Sequence, residues 1–272
     1  MDFKRALHLS NKVIIDASKK RGTPIVFMTH GITMRLSGLT QATDMPDVDY
    51  KIFPNFHKVR YYKTDKDSDE SVKILGAARY CDEWEKIYNQ ILAKTFPCLD
   101  LPNGKDKLKI LFFERPIIGL NSKHECYKAI KNLDFVEAVF KERIEKKNPY
   151  YETREANYPS ARLIQWADVV VMSISSIALE VLWQKKPLLF LKFLSPPGEV
   201  CAFDEYKACW AMHSQEELMD AIQTLKNNPS YKPYTDQDVN KLVCDVVYNG
   251  DMRKDILRDH MRFFMDIVSR DK

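Results

Sequence analysis

Apolar residues in the first third of the chain recur first at helical and then at strand spacing. Residues 3 to 19 have the three- and four-residue intervals of a helix, which ends at Gly22 and Pro24. Three short apolar runs then predict strands, namely PIVFMTH, HKVRYY and SVKIL. A second helical face covers residues 82 to 95, and the polar segment PNGKDK after it predicts a linker. We therefore place a domain boundary between residues 102 and 103.

Strands and helices alternate more regularly after this linker. The predicted strands are LKILFFE, FVEAVFK, DVVVM and PLLFLKF. Helices are predicted at 122–132, 162–167 and 176–185. Three more follow, one at ELMDAIQTL and two at 236–247 and 252–268. Two capping boxes, Ser122-x-x-Glu125 and Ser214-x-x-Glu217, mark helix starts. This order predicts a Rossmann-like, mostly parallel sheet with helices on both faces.

Composition and charge narrow the class of protein. A chain of 272 residues is longer than the roughly 250 that one hydrophobic core usually serves, so two lobes are expected. Hydrophobic residues make up 45% and charged residues 29%, which excludes a disordered chain. The net charge of +4 is too small to predict nucleic acid as a partner, but it suits ligands that carry phosphates.

The cysteines and the hydropathy pattern indicate the compartment. Six cysteines occur without a CxxC pair, which excludes a zinc ribbon and a thioredoxin-like motif and predicts reduced thiols. No uncharged apolar stretch reaches the roughly 18 residues of a membrane span, and no classical signal precedes the first helix. We expect a cytoplasmic protein, for which a basic face would allow peripheral binding at the inner face of the membrane.

The clearest candidate for chemistry is the segment ADVVVMSISSIALEVLWQKKPLLFL. A buried strand runs into Ser173, Ser175 and Ser176 and then directly into a helix. Ligands of open parallel sheets bind beyond the carboxyl ends of the strands, where the next helix offers free N–H groups. These serines are therefore placed to hold a phosphate, although a simple N-cap role explains one of them equally well.

This segment resembles the nucleotide-binding half of the GT-B-type glycosyltransferase superfamily, particularly bacterial surface-carbohydrate and capsule biosynthesis proteins. The shared pattern is aD-v-v-x-x-x-SS-x-x-x-E-x-x-x-x-x-k-P-v, and the likeness covers residues 105 to 270. It implies that the serine pair contacts the donor phosphates and that Glu180, seven residues before Pro187, binds the ribose hydroxyls. Upstream, FMTHGITMR and LGAARYCDEW resemble short motifs of the first lobe of the same proteins.

Several other residues are candidates for the cleft. His30 follows an apolar strand and is the candidate general base, because imidazole titrates near neutral pH. Arg115 ends the first strand of the second lobe and could bind a pyrophosphate, and Arg79 could act likewise or join the lobes through an ion pair. Many capsule relatives have a His-Pro where this chain has VFKERIEKKN, so Lys141 and Arg143 could supply the positive charge, or form an exposed basic loop.

We therefore predict an α/β protein with a Rossmann-like parallel sheet in a GT-B-like two-lobed arrangement. Residues 1–102 are expected to form a reduced N-terminal lobe on the acceptor side. Residues 103–272 are expected to form the C-terminal domain that binds a nucleotide-sugar. The resemblance implies a metal-independent transferase without a cofactor, moving a sugar or sugar-phosphate to a glycan or lipid-linked acceptor. No DxD-type metal-ligand pair is evident. Two alternatives stay open: a UDP-sugar 2-epimerase-like isomerase, and a non-catalytic nucleotide-sugar-binding subunit whose partner completes the N-terminal lobe.

Overall fold

A computed structural model describes residues 3–29, 31–32, 34–36, 48–57, 59, 68, 70–95, 101–113, 122–141 and 158–270. By their contacts the residues group into two units. The first comprises Met1–Ile32, Leu39–Trp84 and Cys244–Lys272, and the second comprises Thr33–Gly38 and Glu85–Val243. This grouping differs from the predicted boundary between residues 102 and 103, which falls inside the second unit.

The first unit contains a three-stranded parallel sheet. Helix α1 (Phe3–Lys20) precedes strands β1 (Val26–Met28), β2 (Tyr50–Phe53) and β3 (Val72–Ile74), which pair in the order β1-β2-β3. A 3-10 helix, Ala78–Tyr80, and helix α2 (Asp82–Thr95) follow β3. The predicted positions of α1, β1, β3 and α2 are confirmed to within two residues.

Two parts of the first unit were not foreseen. Strand β2 lies in the short run YKIF, whose charged Lys51 breaks the apolar pattern, yet Lys51 is buried. The strand predicted at HKVRYY is wrong at His57 and Val59, which are helical; its other residues lie outside the described ones.

The C-terminal helix also belongs to the first unit. Phe263 of this helix, here labelled α9 (Ile256–Arg270), makes an edge contact with Tyr50 of β2, the ring centroids lying 5.4 Å apart. Just before the helix, the Lys254 ammonium donates to the carbonyl of Ile74 at 3.1 Å. Chain order does not reveal such a return, so the predicted domain division assigned this helix to the second lobe.

The second unit contains a five-stranded parallel sheet. Its strands are β4 (Leu108–Phe113), β5 (Val136–Lys141), β6 (Val169–Met172), β7 (Leu188–Leu191) and β8 (Trp210–Met212), in the order β5-β4-β6-β7-β8. The helices along this part of the chain are α3 (Ser122–Lys131), α4 (Ser160–Trp166), α5 (Ala178–Trp183), α6 (Ala202–Glu205), α7 (Gln215–Asn227) and α8 (Asp236–Val246). The predicted α/β class with Rossmann-like parallel sheets is confirmed.

Continuous apolar strands form the core of this second sheet. All four residues of β6 and all four of β7 are buried, as expected for parallel strands covered on both faces. Phe112 of β4 stacks on Phe140 of β5 with ring centroids 5.6 Å apart. Because close-packed interiors resist deformation, this core holds the ends of the strands in fixed positions.

The helix starts agree with the sequence to different degrees. Ser214 caps α7 as predicted: its hydroxyl accepts the N–H of Glu217 at 3.1 Å, and the Glu217 carboxylate accepts the N–H of His213 at 2.7 Å. Helix α5 begins at Ala178, two residues later than predicted. Within the described part of the chain, no helix is both long enough and apolar enough to cross a membrane.

Candidate functional site

The strand order of the second sheet creates a topological switch point between β4 and β6. The chain runs from β4 outward to β5 on one side and then to β6, β7 and β8 on the other. In open α/β sheets the crevice beyond the carboxyl ends of two such strands is the usual place for a ligand. Phe113 of β4 pairs in register with Met172 of β6, so both strands end at the same level.

Ser173 is the first residue beyond β6 at this switch point. Its side chain is only 3% exposed, and its hydroxyl has no hydrogen-bond partner among the residues described. A buried hydroxyl without a partner is unfavourable and uncommon in folded proteins, so each instance calls for an explanation. Ser173 lies where ligands of open α/β sheets usually bind, so a group on a ligand would explain this hydroxyl.

Ser175 and Ser176 form the turn that leads into α5. The Ser175 hydroxyl accepts the N–H of Ile177 at 3.4 Å, and the carbonyls of the two serines accept the N–H groups of Ala178 and Leu179. Ser175 thus has the local capping role that the sequence left open. Both serines are half-buried, directly after the switch point.

Glu180 lies in the first turn of α5, four residues after Ser176. Ser176 lies in the turn two residues before α5 begins, so the helical face that the sequence predicted for Ser176 and Glu180 does not include the serine. Its neighbours Leu179 and Val181 are fully buried, whereas Glu180 itself is half-buried. The predicted serines and Glu180 thus lie on one continuous segment that follows the switch point.

Lys141 ends β5 at the same edge of the sheet. It pairs in register with Phe113, which pairs in turn with Met172, so Lys141 lies two strands and about 10 Å from the end of β6. Its ammonium donates to the carbonyl of Tyr158 at 2.6 Å, and burial lowers the pKa of this ammonium.

Three predicted site residues, His30, Arg115 and Arg143, lie outside the described residues. Arg79 is described and belongs to the first unit, on the 3-10 helix Ala78–Tyr80. It is exposed, and its guanidinium lies 5.5 Å from the centre of the Tyr80 ring.

A cavity of about 200 Å³ occupies the first unit beyond the carboxyl ends of β1, β2 and β3. Arg79 lines it, and so do Thr29 and Gly31, the residues on either side of His30. His260 of α9 also lines it and is 7% exposed, with its Nδ1 2.8 Å from the carbonyl oxygen of Ile256. His260 could not be predicted as a cavity residue, because nothing in its local sequence indicates that the last helix returns to the first sheet.

The described residues include no candidate metal site. No group of three or more histidine, cysteine, aspartate or glutamate residues there is arranged to hold an ion. Metal-independent chemistry stays a prediction.

Comparison with known proteins identifies the fold. No protein-family model and no curated protein matches the chain. A solved structure of the wall teichoic acid polymerase TagF matches with 13% identity and a TM-score of 0.53, over 92% of this chain and 70% of that one. A TagF variant soaked with CDPG matches with 14% identity and a TM-score of 0.55, over 93% and 69%. The chain has a GT-B-type fold.

A co-structure of S. aureus MnaA with UDP is also similar, with 13% identity and a TM-score of 0.46 over 93% of this chain and 71% of that one. Identities of this size leave the substrate and the reaction to be argued from the site itself.

Proposed function

We propose that this chain is a glycosyltransferase-like protein of surface polysaccharide biosynthesis, which transfers a sugar or sugar-phosphate from a nucleotide-activated donor to an acceptor hydroxyl. The observation that carries the proposal is the buried hydroxyl of Ser173, which lacks a partner among the described residues and lies at the switch point. The GT-B-type fold shared with TagF supports the same class of reaction.

The donor phosphates would be bound at the end of β6. Ser173 and Ser176 would donate hydrogen bonds to phosphate oxygens. Ser175 would also donate one, because the N–H of Ile177 occupies only the oxygen of its hydroxyl and leaves the hydroxyl proton for a phosphate. Glu180 would accept hydrogen bonds from the ribose hydroxyls. Arg115 and Lys141, with Arg143 as a further candidate, would offset the phosphate charge.

The transfer step needs a base and a stabilised leaving group. His30 would remove the proton from the acceptor hydroxyl as the acceptor oxygen forms its bond to the donor sugar or its phosphorus. The bond from that atom to the leaving nucleotide breaks, and the nucleotide phosphate keeps the electron pair. Positive side chains and hydroxyl donors would stabilise this charge in place of a metal ion.

Turnover of the donor tests the proposal. The protein with its nucleotide-sugar should release nucleotide, by transfer or by slow hydrolysis, and His30→Ala should lower that rate by about 100-fold or more, the usual contribution of a general base. Release that does not depend on His30 would contradict its role. Conversion of the sugar without release of nucleotide would indicate an isomerase instead.

A non-catalytic nucleotide-sugar-binding subunit is the second candidate. It is favoured by the first sheet, which has three strands within the described residues where the second has five. A partner protein would then complete the N-terminal lobe. Three results together would support this candidate over the transferase: nucleotide binding that Ser173→Ala weakens, no turnover by the chain on its own, and turnover when a partner protein is added.

Peripheral binding to an anionic membrane surface is the part of the proposal that concerns location. Met261, Met265 and Val268 project from α9 at intervals of four and three residues, and each is more than 60% exposed. Arg258 and Arg262 are exposed on the same helix and complement anionic lipid headgroups. The wild type should co-sediment with phosphatidylglycerol vesicles but not with phosphatidylcholine vesicles, and Met265→Asp should no longer co-sediment with either. Equal sedimentation of the wild type with both kinds of vesicle would contradict binding to an anionic surface.

A further inference from the structure

The cavity of the first unit has the size of a single ring and mostly apolar walls. At about 200 Å³ it exceeds the roughly 150 Å³ of an engineered protein cavity that binds benzene. Aliphatic and aromatic side chains make most of the lining, among them Met28, Ile32, Ile52, Phe53 and Pro54. Specificity in such a site comes from the few polar groups that line it.

His260 and Tyr80 are the buried residues of this lining whose side chains have polar atoms, and Thr29 adds a half-buried hydroxyl. The Nδ1 of His260 lies 2.8 Å from the backbone carbonyl of Ile256, and a carbonyl can only accept, so Nδ1 carries the proton. In the neutral ring the other nitrogen, Nε2, is then a hydrogen-bond acceptor. His260 is thus set to accept a hydrogen bond from a hydroxyl group.

Arg79 is the cation of this lining. It lies on the 3-10 helix Ala78–Tyr80, which contacts α9, and its side chain is exposed. Guanidinium groups bind phosphates through paired, planar N–H donors. A cation at the exposed side and an acceptor at the buried side suit a ring that has a hydroxyl at one end and a phosphate at the other.

The apolar walls limit how many hydroxyls that ring can carry. A hydroxyl buried against Ile52 or Phe53 would lose its bonds to water and gain no partner in the side chain it meets. The C–H faces of a sugar ring can pack against such walls without this penalty. A deoxy sugar therefore fits the lining better than a fully hydroxylated one.

We propose that the cavity binds one deoxy sugar ring carrying a phosphate, with His260 Nε2 accepting a hydrogen bond from a ring hydroxyl and Arg79 pairing with the phosphate. The inference rests on the proposed function, because this ring would be the end of the acceptor. It concerns the first unit alone and is independent of the serines at the end of β6.

A matched pair of ligands tests the specificity. Binding of 6-deoxyglucose 1-phosphate and of glucose 1-phosphate, which differ by one oxygen atom, would be measured by titration calorimetry, with inorganic phosphate and 6-deoxyglucose as partial ligands. The deoxy compound should bind about tenfold tighter, the usual consequence of not burying one unpaired hydroxyl. Equal affinities, or no binding of either sugar phosphate, would overturn the proposal.

Variants test the two polar contacts. His260→Asn keeps an amide donor near the position of Nδ1 but removes the Nε2 acceptor, and it should weaken binding about tenfold. Arg79→Gln should weaken binding of the sugar phosphate by a similar factor and leave binding of 6-deoxyglucose unchanged. His213→Asn, at an exposed histidine of the second unit, is the control and should bind as the wild type does.

The thermal midpoint of each variant separates loss of binding from loss of folding. If His260→Asn lowers the midpoint strongly, the exposed Arg79→Gln decides the proposal, and wild-type affinity of that variant for the sugar phosphate would overturn it. The Ser173→Ala variant separates this inference from the proposed function. If the wild type binds the sugar phosphate but no nucleotide, or if Ser173→Ala binds nucleotide as tightly as the wild type does, the donor site is refuted and the cavity site stays supported.

Discussion

Gly76 occupies the turn after β3 in a conformation and a space that only glycine suits. Its φ of +90° lies in the left-handed region, which other residues rarely adopt. An added Cβ would lie 2.7 Å from two side-chain carbons of Ile256 and 3.0 Å from the carbonyl oxygen of Val247. Ile256 is fully buried, and that carbonyl accepts the N–H of Ala77 at 2.9 Å, so both neighbours are held in place.

Two costs therefore add in Gly76→Ala. The positive φ costs about 1–2 kcal/mol for a residue with a Cβ, and overpacking a filled space costs about 1–3 kcal/mol. We expect the free energy of unfolding to fall by roughly 2–5 kcal/mol, measured by urea denaturation. Because Gly76 also lines the cavity, the variant measures how tightly α9 is packed at that site.

Gly250→Ala is the matched control. Gly250 has nearly the same φ, +87°, but an added Cβ would meet no heavy atom of the described residues within 4 Å. This variant should lose only the backbone cost of about 1–2 kcal/mol. Equal losses in the two variants would refute the packing of Ile256 against the turn.

Three further predictions concern buried polar groups. Tyr234→Phe should cost about 1–3 kcal/mol in urea denaturation, because the buried N–H of Leu188 donates to the Tyr234 hydroxyl at 2.9 Å; an unchanged midpoint would contradict this bond. Burial raises the pKa of the Cys81 thiol to about 11, so iodoacetamide should modify the half-buried Cys244 before Cys81, as peptide mapping would show. Equal rates of modification at the two cysteines would contradict this prediction. Burial lowers the pKa of Lys141 from 10.5, so the cost of burying its charge is present at neutral pH, and the protein becomes more stable as the pH rises through the lowered pKa. Lys141→Met should abolish this contribution to the pH dependence, which denaturation at neutral pH and at pH about 10 would measure. An unchanged pH dependence in the variant would refute the prediction.

The strands of the second sheet could be predicted because they are buried on both faces. Strands β6 and β7 are continuous apolar runs between polar segments, and β4 has one lysine, Lys109, among five apolar residues; this pattern depends only on local sequence. Strand β2 was not predicted, and its lysine alone does not account for this, since Lys73 of β3 and Lys109 of β4 lie in strands that were predicted. Nothing local in the chain indicates that Lys51 is buried there.

The candidate sites show the same division between local and long-range information. The strand, the serines and the following helix are contiguous, so their order could be predicted, whereas the position of β6 beside β4 depends on strand order. The start of α5 was predicted too early, because the Ser175 hydroxyl takes up the N–H of Ile177 and the regular helix begins after it. His260 joins the cavity from the last helix, more than 170 residues after the nearest lining residue in the chain, Tyr80.

Thermal stabilisation of the wild type and of Ser173→Ala by UDP, CDP, GDP and CMP tests the central claim most directly. One class of nucleotide should raise the midpoint of the wild type. Without nucleotide, Ser173→Ala should be as stable as the wild type or more so, because it removes a buried hydroxyl that has no partner among the described residues. Its affinity for that nucleotide should nevertheless fall by about 5- to 100-fold, which lowers the shift. Absence of a shift with every nucleotide, or an equal shift in the variant, would contradict a donor site at the end of β6.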